Sequence, residues 1–287
     1  MRAGSMRGGV VLVVVGLLAV VLGGQRAVGQ PCEPEWADGV FGLPGVDGTV
    51  SCMAAWDDGD GEALYVAGQF SVAGVHHASG IACWDGRSWS PLGSGMNGDV
   101  HALAVFDDGN GSALYAAGDF TEAGGVPAQG LARWDGSSWS AVGGGLQGRP
   151  RSMIVFDDGN GPALFIGGTL TAAGGEPSGS LVRWDGTQWA RPESGTFGGD
   201  ILAMAVYDHG DGPALYVAGS FRGIGGVSLR HMARWDGSAW HDTTGIFNHP
   251  VYTLAVYDDG EGAKLFAGGG FGSSISSYDG MAWEAVG

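Results

Sequence analysis

The feature that most constrains this chain of 287 residues is an internal repeat. An aromatic residue followed by an acidic turn recurs every 50 or 51 residues, at Trp56, Phe106, Phe156, Tyr207 and Tyr257. A second motif, aromatic-Asp-Gly followed by a further Trp, recurs in the same register. A period of this length is typical of repeat proteins, in which one unit buries its apolar faces only by stacking against its neighbours. Residues 49–287 therefore contain five copies of one structural unit.

Each copy is predicted to fold as four short strands. In the second copy, apolar or alternating segments at 100–106, 113–118, 131–134 and 138–142 are separated by glycine-rich turns. Asp135-Gly136 has the residues of a tight hairpin turn, in which glycine adopts a positive φ. No segment after the N-terminal region has a sustained 3.6-residue period, so we expect almost no helix. The prediction is an all-β protein, a β-propeller of five four-stranded antiparallel blades.

The composition explains how such a chain would be stabilised. Glycine accounts for 58 of 287 residues, yet 44% of the chain is hydrophobic, with 11 Trp and 11 Phe. This apolar area is sufficient for a packed core and argues against disorder. The aromatic residues recur in register, so they should fill the space between neighbouring blades. For the recurring Trp pairs, blade packing is the favoured interpretation, and a platform on which sugars stack is the alternative.

The first 29 residues have the pattern of a secretory signal peptide. Arg2 and Arg7 precede an apolar run over residues 10–22, and Ala27 and Gly29 provide small residues for cleavage. Thirteen apolar residues are few for spanning a bilayer of roughly 30 Å, although an uncleaved anchor is the alternative. We therefore expect a tail at residues 30–48, with no membrane segment in the mature protein. Its expected location is secreted, periplasmic or at the cell surface.

The charge balance excludes some classes of partner. The chain has 13 basic and 30 acidic residues and a formal net charge of −17. A polyanion such as nucleic acid, or an anionic membrane surface, would be repelled. Three cysteines are present, which in an exported protein suggests one disulfide and one free thiol. Cys32–Cys52 is the preferred pair, Cys83 would then be free, and three unpaired cysteines are the alternative.

The two ends of the predicted propeller differ in chemistry. Loops that join the first to the second strand and the third to the fourth carry more than half of the acidic residues. Tight turns select Asp, Asn and Gly, so turn formation and solubility explain this end. Calcium binding is the other interpretation, because hard cations prefer clustered carboxylates, but the EF-hand spacing is absent. We therefore expect no cofactor and no metal site, with calcium as the one ion to consider.

The opposite end carries the loops that differ most among copies. Variable loops on a repeated scaffold are typical of a binding surface, although neutral drift in exposed loops would look the same. Adjacent residues on a strand point in opposite directions, so the neighbouring histidines fit solvated loop residues better than a metal pair. The candidate ligand-binding residues at this end are His76, His77, Arg149, Arg151, Arg222 and Arg230.

The repeats resemble kelch-type propellers, including the propeller of galactose oxidase-like proteins. Tyr278-Asp279 followed by Trp283 matches the order of a kelch unit. The Trp-Asp-Gly-x-x-Trp variant and the Phe-Thr-x-Ala-Gly-Gly loop at 120–125 look like the repeats of large exported bacterial and fungal surface proteins. The resemblance implies a kelch-like propeller over residues 49–287. It implies little about activity, because kelch propellers have many unrelated roles.

The sequence contains no recognisable catalytic motif. It lacks Gly-x-Ser-x-Gly, His-Glu-x-x-His and a phosphate-binding loop, and no catalytic residue is assigned. The favoured function is therefore an exported, non-enzymatic binding module, a monomer whose partner is an extracellular protein or glycan. A multivalent lectin-like propeller with Trp-lined sites is the alternative. A galactose oxidase-like or other propeller enzyme is a weaker one.

Overall fold

The structure is a computed structural model, and it describes residues 45–192, 197–225, 227–243, 247–258, 260–272 and 274–286. Within these ranges the chain forms β-strands and turns and no helix. Accordingly, this part of the chain has no helical segment able to cross a membrane. The predicted signal peptide at 1–29 and most of the tail at 30–48 lie outside the described residues.

The strands form five consecutive four-stranded units. Blade 1 contains β1 (Thr49–Asp57), β2 (Glu62–Gln69), β3 (Val72–Ala73), β4 (His76–His77), β5 (Ile81–Trp84) and β6 (Trp89–Pro91). Blade 2 contains β7 (Val100–Asp107), β8 (Ser112–Gly118), β9 (Glu122–Ala123), β10 (Val126–Pro127), β11 (Leu131–Trp134) and β12 (Trp139–Ala141). Blade 3 contains β13 (Leu146–Asp157), β14 (Pro162–Ala173), β15 (Glu176–Pro177), β16 (Leu181–Trp184) and β17 (Trp189–Ala190).

The last two units follow the same plan. Blade 4 contains β18 (Ile201–Asp208), β19 (Pro213–Gly219), β20 (Gly223–Ile224), β21 (Val227–Ser228), β22 (Met232–Trp235) and β23 (Trp240–Asp242). Blade 5 contains β24 (Val251–Asp258), β25 (Ala263–Gly269), β26 (Ile275–Tyr278) and β27 (Trp283–Ala285). The four main strands of each blade pair antiparallel in chain order. This confirms the predicted all-β propeller of five blades.

The predicted strands of the second copy are confirmed to within two residues at each end. The Asp135-Gly136 turn has the expected geometry, because Gly136 has a φ of 97° and the Asp135 carboxylate accepts hydrogen bonds from the N–H groups of Ser137 and Ser138. The two-residue hairpins between the second and third main strands were not predicted. They are too short to give a periodic pattern in the sequence.

Successive blades bury their aromatic residues between them, as predicted. Tyr65, Tyr115, Phe165 and Tyr216 occupy the same position on four blades and are almost completely buried, each against the following blade. Polar bonds also cross these interfaces. The Trp139 indole N–H of blade 2 donates to the Leu92 carbonyl of blade 1 at 3.0 Å. The fold therefore depends on four blade-to-blade interfaces of the same design.

The fifth blade does not pack against the first in this way. The first strands contact one another in the order β1, β7, β13, β18 and β24, and in the described part of the chain no comparable contact joins β24 to β1. The ring residue of β24, Tyr257, is 54% exposed, whereas its counterpart Tyr207 is 3% exposed. Residues 40–43, which belong to the predicted tail, lie outside the described residues. On the outer side of blade 1, Val66, Phe70 and Ala82 are buried, so the exposure found at Tyr257 is not repeated across that side.

A matched pair of glycines tests this arrangement. Gly186 and Gly86 occupy the same turn with φ near 90°, but a Cβ on Gly186 would lie 2.7 Å from the Asp108 carbonyl oxygen, while Gly86 has no atom within 4 Å. Gly86→Ala should cost about 1–2 kcal/mol for the left-handed conformation alone. Gly186→Ala should cost about 3 kcal/mol, because blade 2 is also displaced. Urea unfolding of both variants measures the two losses of stability. If Gly86→Ala costs as much as Gly186→Ala, the turn of Gly86 is also covered.

Candidate functional site

The structure separates the six predicted ligand-binding residues into different environments. His76 and His77 form β4 and are exposed. Arg149, on β13, is exposed and its Nε lies 3.0 Å from the Asp119 carboxylate of blade 2, and Arg151 lies further along β13. Of the six residues, only Arg222 and Arg230 line one of the described cavities together.

This cavity has a volume of about 290 Å³ and lies where blade 4 meets the connection to blade 5. We call it the basic pocket. Among the described residues, neither Arg222 nor Arg230 lies within ion-pair distance of a carboxylate, and both are exposed. Phe247, completely buried, provides an apolar surface. The lining residues are Arg222, Ser228, Arg230, His231, Phe247 and Asn248.

His231 is the unusual residue of the basic pocket. Its side chain is buried, with the residue 4% exposed, and its Nδ1 has no hydrogen-bond partner in the described part of the structure. Its φ is 64°, a conformation that other copies give to Gly80 and Gly130. A non-glycine residue in this region costs roughly 1–2 kcal/mol. Backbone strain that the surrounding structure maintains is concentrated at functional sites in proteins, which makes His231 a candidate binding residue.

The backbone holds His231 in place from both sides. Its N–H donates to the Phe221 carbonyl at 3.1 Å, and its carbonyl accepts from the Gly219 N–H at 3.0 Å. Burial lowers the pKa of His231 and outweighs the hydrogen bonding to the backbone of Gly219 and Ser220, which raises it, while the nearby Arg222 and His249 lower it further. The imidazole is therefore neutral at neutral pH, while the arginines remain charged. An anion in the pocket would meet two guanidinium groups and the Asn248 amide in a positive environment.

Arg222 and Arg230 were predicted from the sequence, whereas His231 and Asn248 were not. The signal for His231 was present, because a histidine replaces the glycine of the first two copies at this position. The significance of that replacement depends on the positive φ, which only the structure shows. Asn248 lies in a connection between blades, where the copies give no common pattern.

The acidic end of the molecule has the turn chemistry that we predicted. Asp57 accepts hydrogen bonds from the N–H groups of Gly59 and Gly61, and the corresponding Asp of every other blade does the same. The N–H groups of Ser137 and Ser138 lower the pKa of Asp135 to about 2. In the described residues, no three His, Cys, Asp or Glu side chains are grouped so that they could hold a metal ion.

The recurring Trp residues contribute to the cores between blades. Trp134 and Trp139 are buried in the cluster shared by blades 1 and 2, with ring centroids 5.3 Å apart. Their position supports the packing interpretation. Cys52 and Cys83 are not bonded to each other, and Cys32, the preferred partner of Cys52, lies outside the described residues.

Comparison with protein-family models and with curated protein sequences finds no match to this chain. The class of protein is therefore defined by the fold. The chain is a five-bladed β-propeller, an architecture that supports a binding or interaction module in general. The basic pocket lies where blade 4 meets the connection to blade 5 and is lined by two arginines.

Proposed function

We propose that this chain is an exported binding module that holds an acidic group of an extracellular partner in the basic pocket. The observation that carries the proposal is the buried, strained His231, whose Nδ1 has no partner in the described structure. It lies beside two arginines that are not paired with a carboxylate of the described residues. Buried polar atoms in proteins nearly always have a hydrogen-bond partner. A bound ligand would provide one.

The distribution of charge supports the same proposal. Only 13 residues of the chain are Lys or Arg, and two of them line this cavity. The clustered acidic turns lie at the opposite end of the blades, so they do not face an anion that enters the pocket. A guanidinium group binds carboxylate or sulfate through two parallel hydrogen bonds, which gives both affinity and orientation. The proposed ligand is therefore a carboxylate or sulfate group.

The export and kelch elements of the proposal rest on the sequence. The pattern of residues 1–29 supports a secreted, periplasmic or surface location. The repeats resemble those of exported surface proteins. The buried Trp residues favour a single pocket over the alternative of five equivalent Trp-lined sugar sites.

Titration calorimetry with sulfate and with glucuronate tests the pocket. Arg222→Ala and Arg230→Ala should each weaken binding at least tenfold, because each removes a charge-assisted hydrogen bond worth about 1.5–3 kcal/mol. His231→Gly should also weaken binding while the protein remains folded, since glycine occupies this position in blades 1 and 2. Affinity of the unsubstituted protein should rise as the pH falls, because the lowered pKa of His231 makes it gain its charge only in acid.

Arg149→Ala is the matched control, since Arg149 is an exposed arginine at the same end of the propeller that is paired with Asp119. The affinity of the Arg149→Ala variant for sulfate and glucuronate should equal that of the unsubstituted protein. Equal losses in all arginine variants would mean that net charge alone attracts the probes. About five equivalent binding events per chain would instead favour the lectin alternative, and no binding of either probe would contradict the proposal.

A further inference from the structure

The acidic turn that follows the first strand of each blade differs in blade 4. Its second residue is aspartate in the other four blades, at Asp58, Asp108, Asp158 and Asp259, and histidine in blade 4, at His209. Blade 4 therefore lacks a carboxylate at a position where the other copies have one.

Blade 2 shows what the carboxylate does at this position. Tyr115 on β8 and Arg133 on β11 are cross-strand neighbours. The Tyr115 hydroxyl donates to Oδ2 of Asp108 at 2.8 Å, and the Arg133 Nε lies 3.2 Å from the same oxygen. In blade 1 the Tyr65 hydroxyl donates to Asp58 in the same way, at 2.9 Å. The carboxylate is therefore the acceptor for a buried hydroxyl and the counter-ion of a guanidinium.

Blade 4 keeps both donors of blade 2. Tyr216 on β19 and Arg234 on β22 are again cross-strand neighbours. Tyr216 is 1% exposed, and none of the groups that the structure describes accepts a hydrogen bond from its hydroxyl. Within the described ranges, no carboxylate lies at ion-pair distance from Arg234. Buried polar groups nearly always have a partner, so this pair of donors indicates a missing acceptor.

His209 is oriented toward its own turn. Its Nδ1 lies 3.8 Å from the Asp211 carboxylate, and its side chain is 13% exposed. Blade 5 confines it from the other side, because a Cβ on Gly280 would lie 2.9 Å from the Cβ of His209. In this arrangement the imidazole provides no acceptor for the Tyr216 hydroxyl.

The neighbouring tyrosines have partners of their own. The Tyr207 hydroxyl donates to the Ala263 carbonyl at 3.0 Å, and the Tyr278 hydroxyl donates to the Gly280 carbonyl at 2.8 Å. Their rings pack against Tyr216, with centroids 5.9 and 6.5 Å from its own. Burial raises the pKa of Tyr216, so its hydroxyl remains protonated and able to donate at neutral pH.

The surrounding carboxylates are compatible with a further negative charge. Asp208 and Asp279 each accept two hydrogen bonds from backbone N–H groups of their own turns. Their counterparts around Asp108 are Asp107 and Asp185, which are held in the same way. Blade 2 thus accommodates the charge of Asp108 in this environment, and blade 4 has the same arginine to balance such a charge.

We infer that a small monovalent anion, such as formate or chloride, binds between the Tyr216 hydroxyl and the Arg234 guanidinium, where blade 2 places the Asp108 carboxylate. Hydrogen bonds from a hydroxyl and a guanidinium to an anion are charge-assisted and therefore strong. The anion is small because the hydroxyl that it reaches is buried. This site lies at the acidic end of blade 4, so it is separate from the basic pocket and independent of the proposed function.

Urea unfolding over a series of formate concentrations, at constant ionic strength, tests the site. Formate at ten times its dissociation constant should raise the folding equilibrium constant about tenfold. His209→Asp should raise this constant at least tenfold without formate and should abolish the response to formate, because the chain then supplies the carboxylate. Tyr216→Phe should weaken formate binding about tenfold, and it should remain folded because blade 3 has Phe165 at this position.

Bromide, which substitutes for chloride and scatters X-rays anomalously, locates the site directly. A crystal grown with sodium bromide should have an anomalous peak within hydrogen-bond distance of the Tyr216 hydroxyl. Asp108→His gives blade 2 the residues of blade 4, so this variant should have a second peak beside Tyr115 and Arg133. The absence of a peak beside Tyr216 would overturn the inference. A formate response that His209→Asp retains in full would also overturn it, because it would then be a general salt effect.

Discussion

Phe165→Ala should lower the free energy of unfolding by about 3–5 kcal/mol. Phe165 is completely buried between blades 3 and 4, where it packs edge-on against Phe156 with ring centroids 5.7 Å apart. Truncation loses the transfer free energy of the ring and leaves a cavity that a rigid strand cannot fill. Equilibrium unfolding in urea, followed by Trp fluorescence, measures the loss.

Phe266→Ala is the matched control for this prediction. Phe266 occupies the same position in blade 5, but it is only partly buried. At a concentration where the protein is monomeric, its truncation should cost about 1 kcal/mol, because most of the ring is already solvated or loosely packed. A loss as large as that of Phe165→Ala would show that another part of the same chain covers Phe266.

Arg183→Ala should also destabilise the protein by about 3–5 kcal/mol. The Arg183 Nε lies 3.4 Å from the Asp158 carboxylate, and its terminal nitrogen donates to the carbonyls of Asn160 and Gly161 at 3.3 and 3.0 Å. The side chains of Arg183 and Asp158 are both less than a tenth exposed. Removing the guanidinium leaves a buried carboxylate without its cation, and this is the large cost of breaking a buried pair.

Blade 2 provides the comparison for this second prediction. Arg133 pairs with Asp108 at 3.2 Å, but the Tyr115 hydroxyl also donates to Asp108 at 2.8 Å. In blade 3 the tyrosine is replaced by Phe165, which cannot donate. Arg133→Ala should therefore cost about 2 kcal/mol, less than Arg183→Ala, since Asp108 retains a partner. Urea unfolding of both variants measures the two losses of stability. A larger loss for Arg133→Ala than for Arg183→Ala would contradict the stabilising role assigned to the Arg183–Asp158 pair.

The fold was predictable because each copy repeats the same sequence signals for turns and strands. Asp135-Gly136 predicts a tight hairpin turn, and the strands before and after it are short and apolar. Because the unit is repeated five times, its aromatic rings can be buried by stacking one copy on the next. The four main strands of a blade were found on this basis. The two-residue hairpins such as β9 and β10 were not, because they arise from pairing within a loop that has no periodic pattern.

The site was predictable only in part. Arg222 and Arg230 were predicted because the chain has few basic residues and these two lie on variable loops. The same reasoning also selected His76, His77, Arg149 and Arg151, which do not line the basic pocket. Which loop residues meet depends on how blade 4 and the connection to blade 5 pack. The partial exposure of Leu64 and Phe266 could not be predicted either, because both have the same chemistry as residues that are buried in the internal blades.

A crystal structure of the protein grown with glucuronate tests the fold and the basic pocket together. We expect five four-stranded blades stacked in chain order, with one carboxylate bound between Arg222 and Arg230 and within hydrogen-bond distance of His231. Glucuronate bound at the Trp pairs or at the acidic turns, with the basic pocket empty, would contradict the proposed site. A chain that is not folded into stacked blades would contradict both the fold and the proposed site.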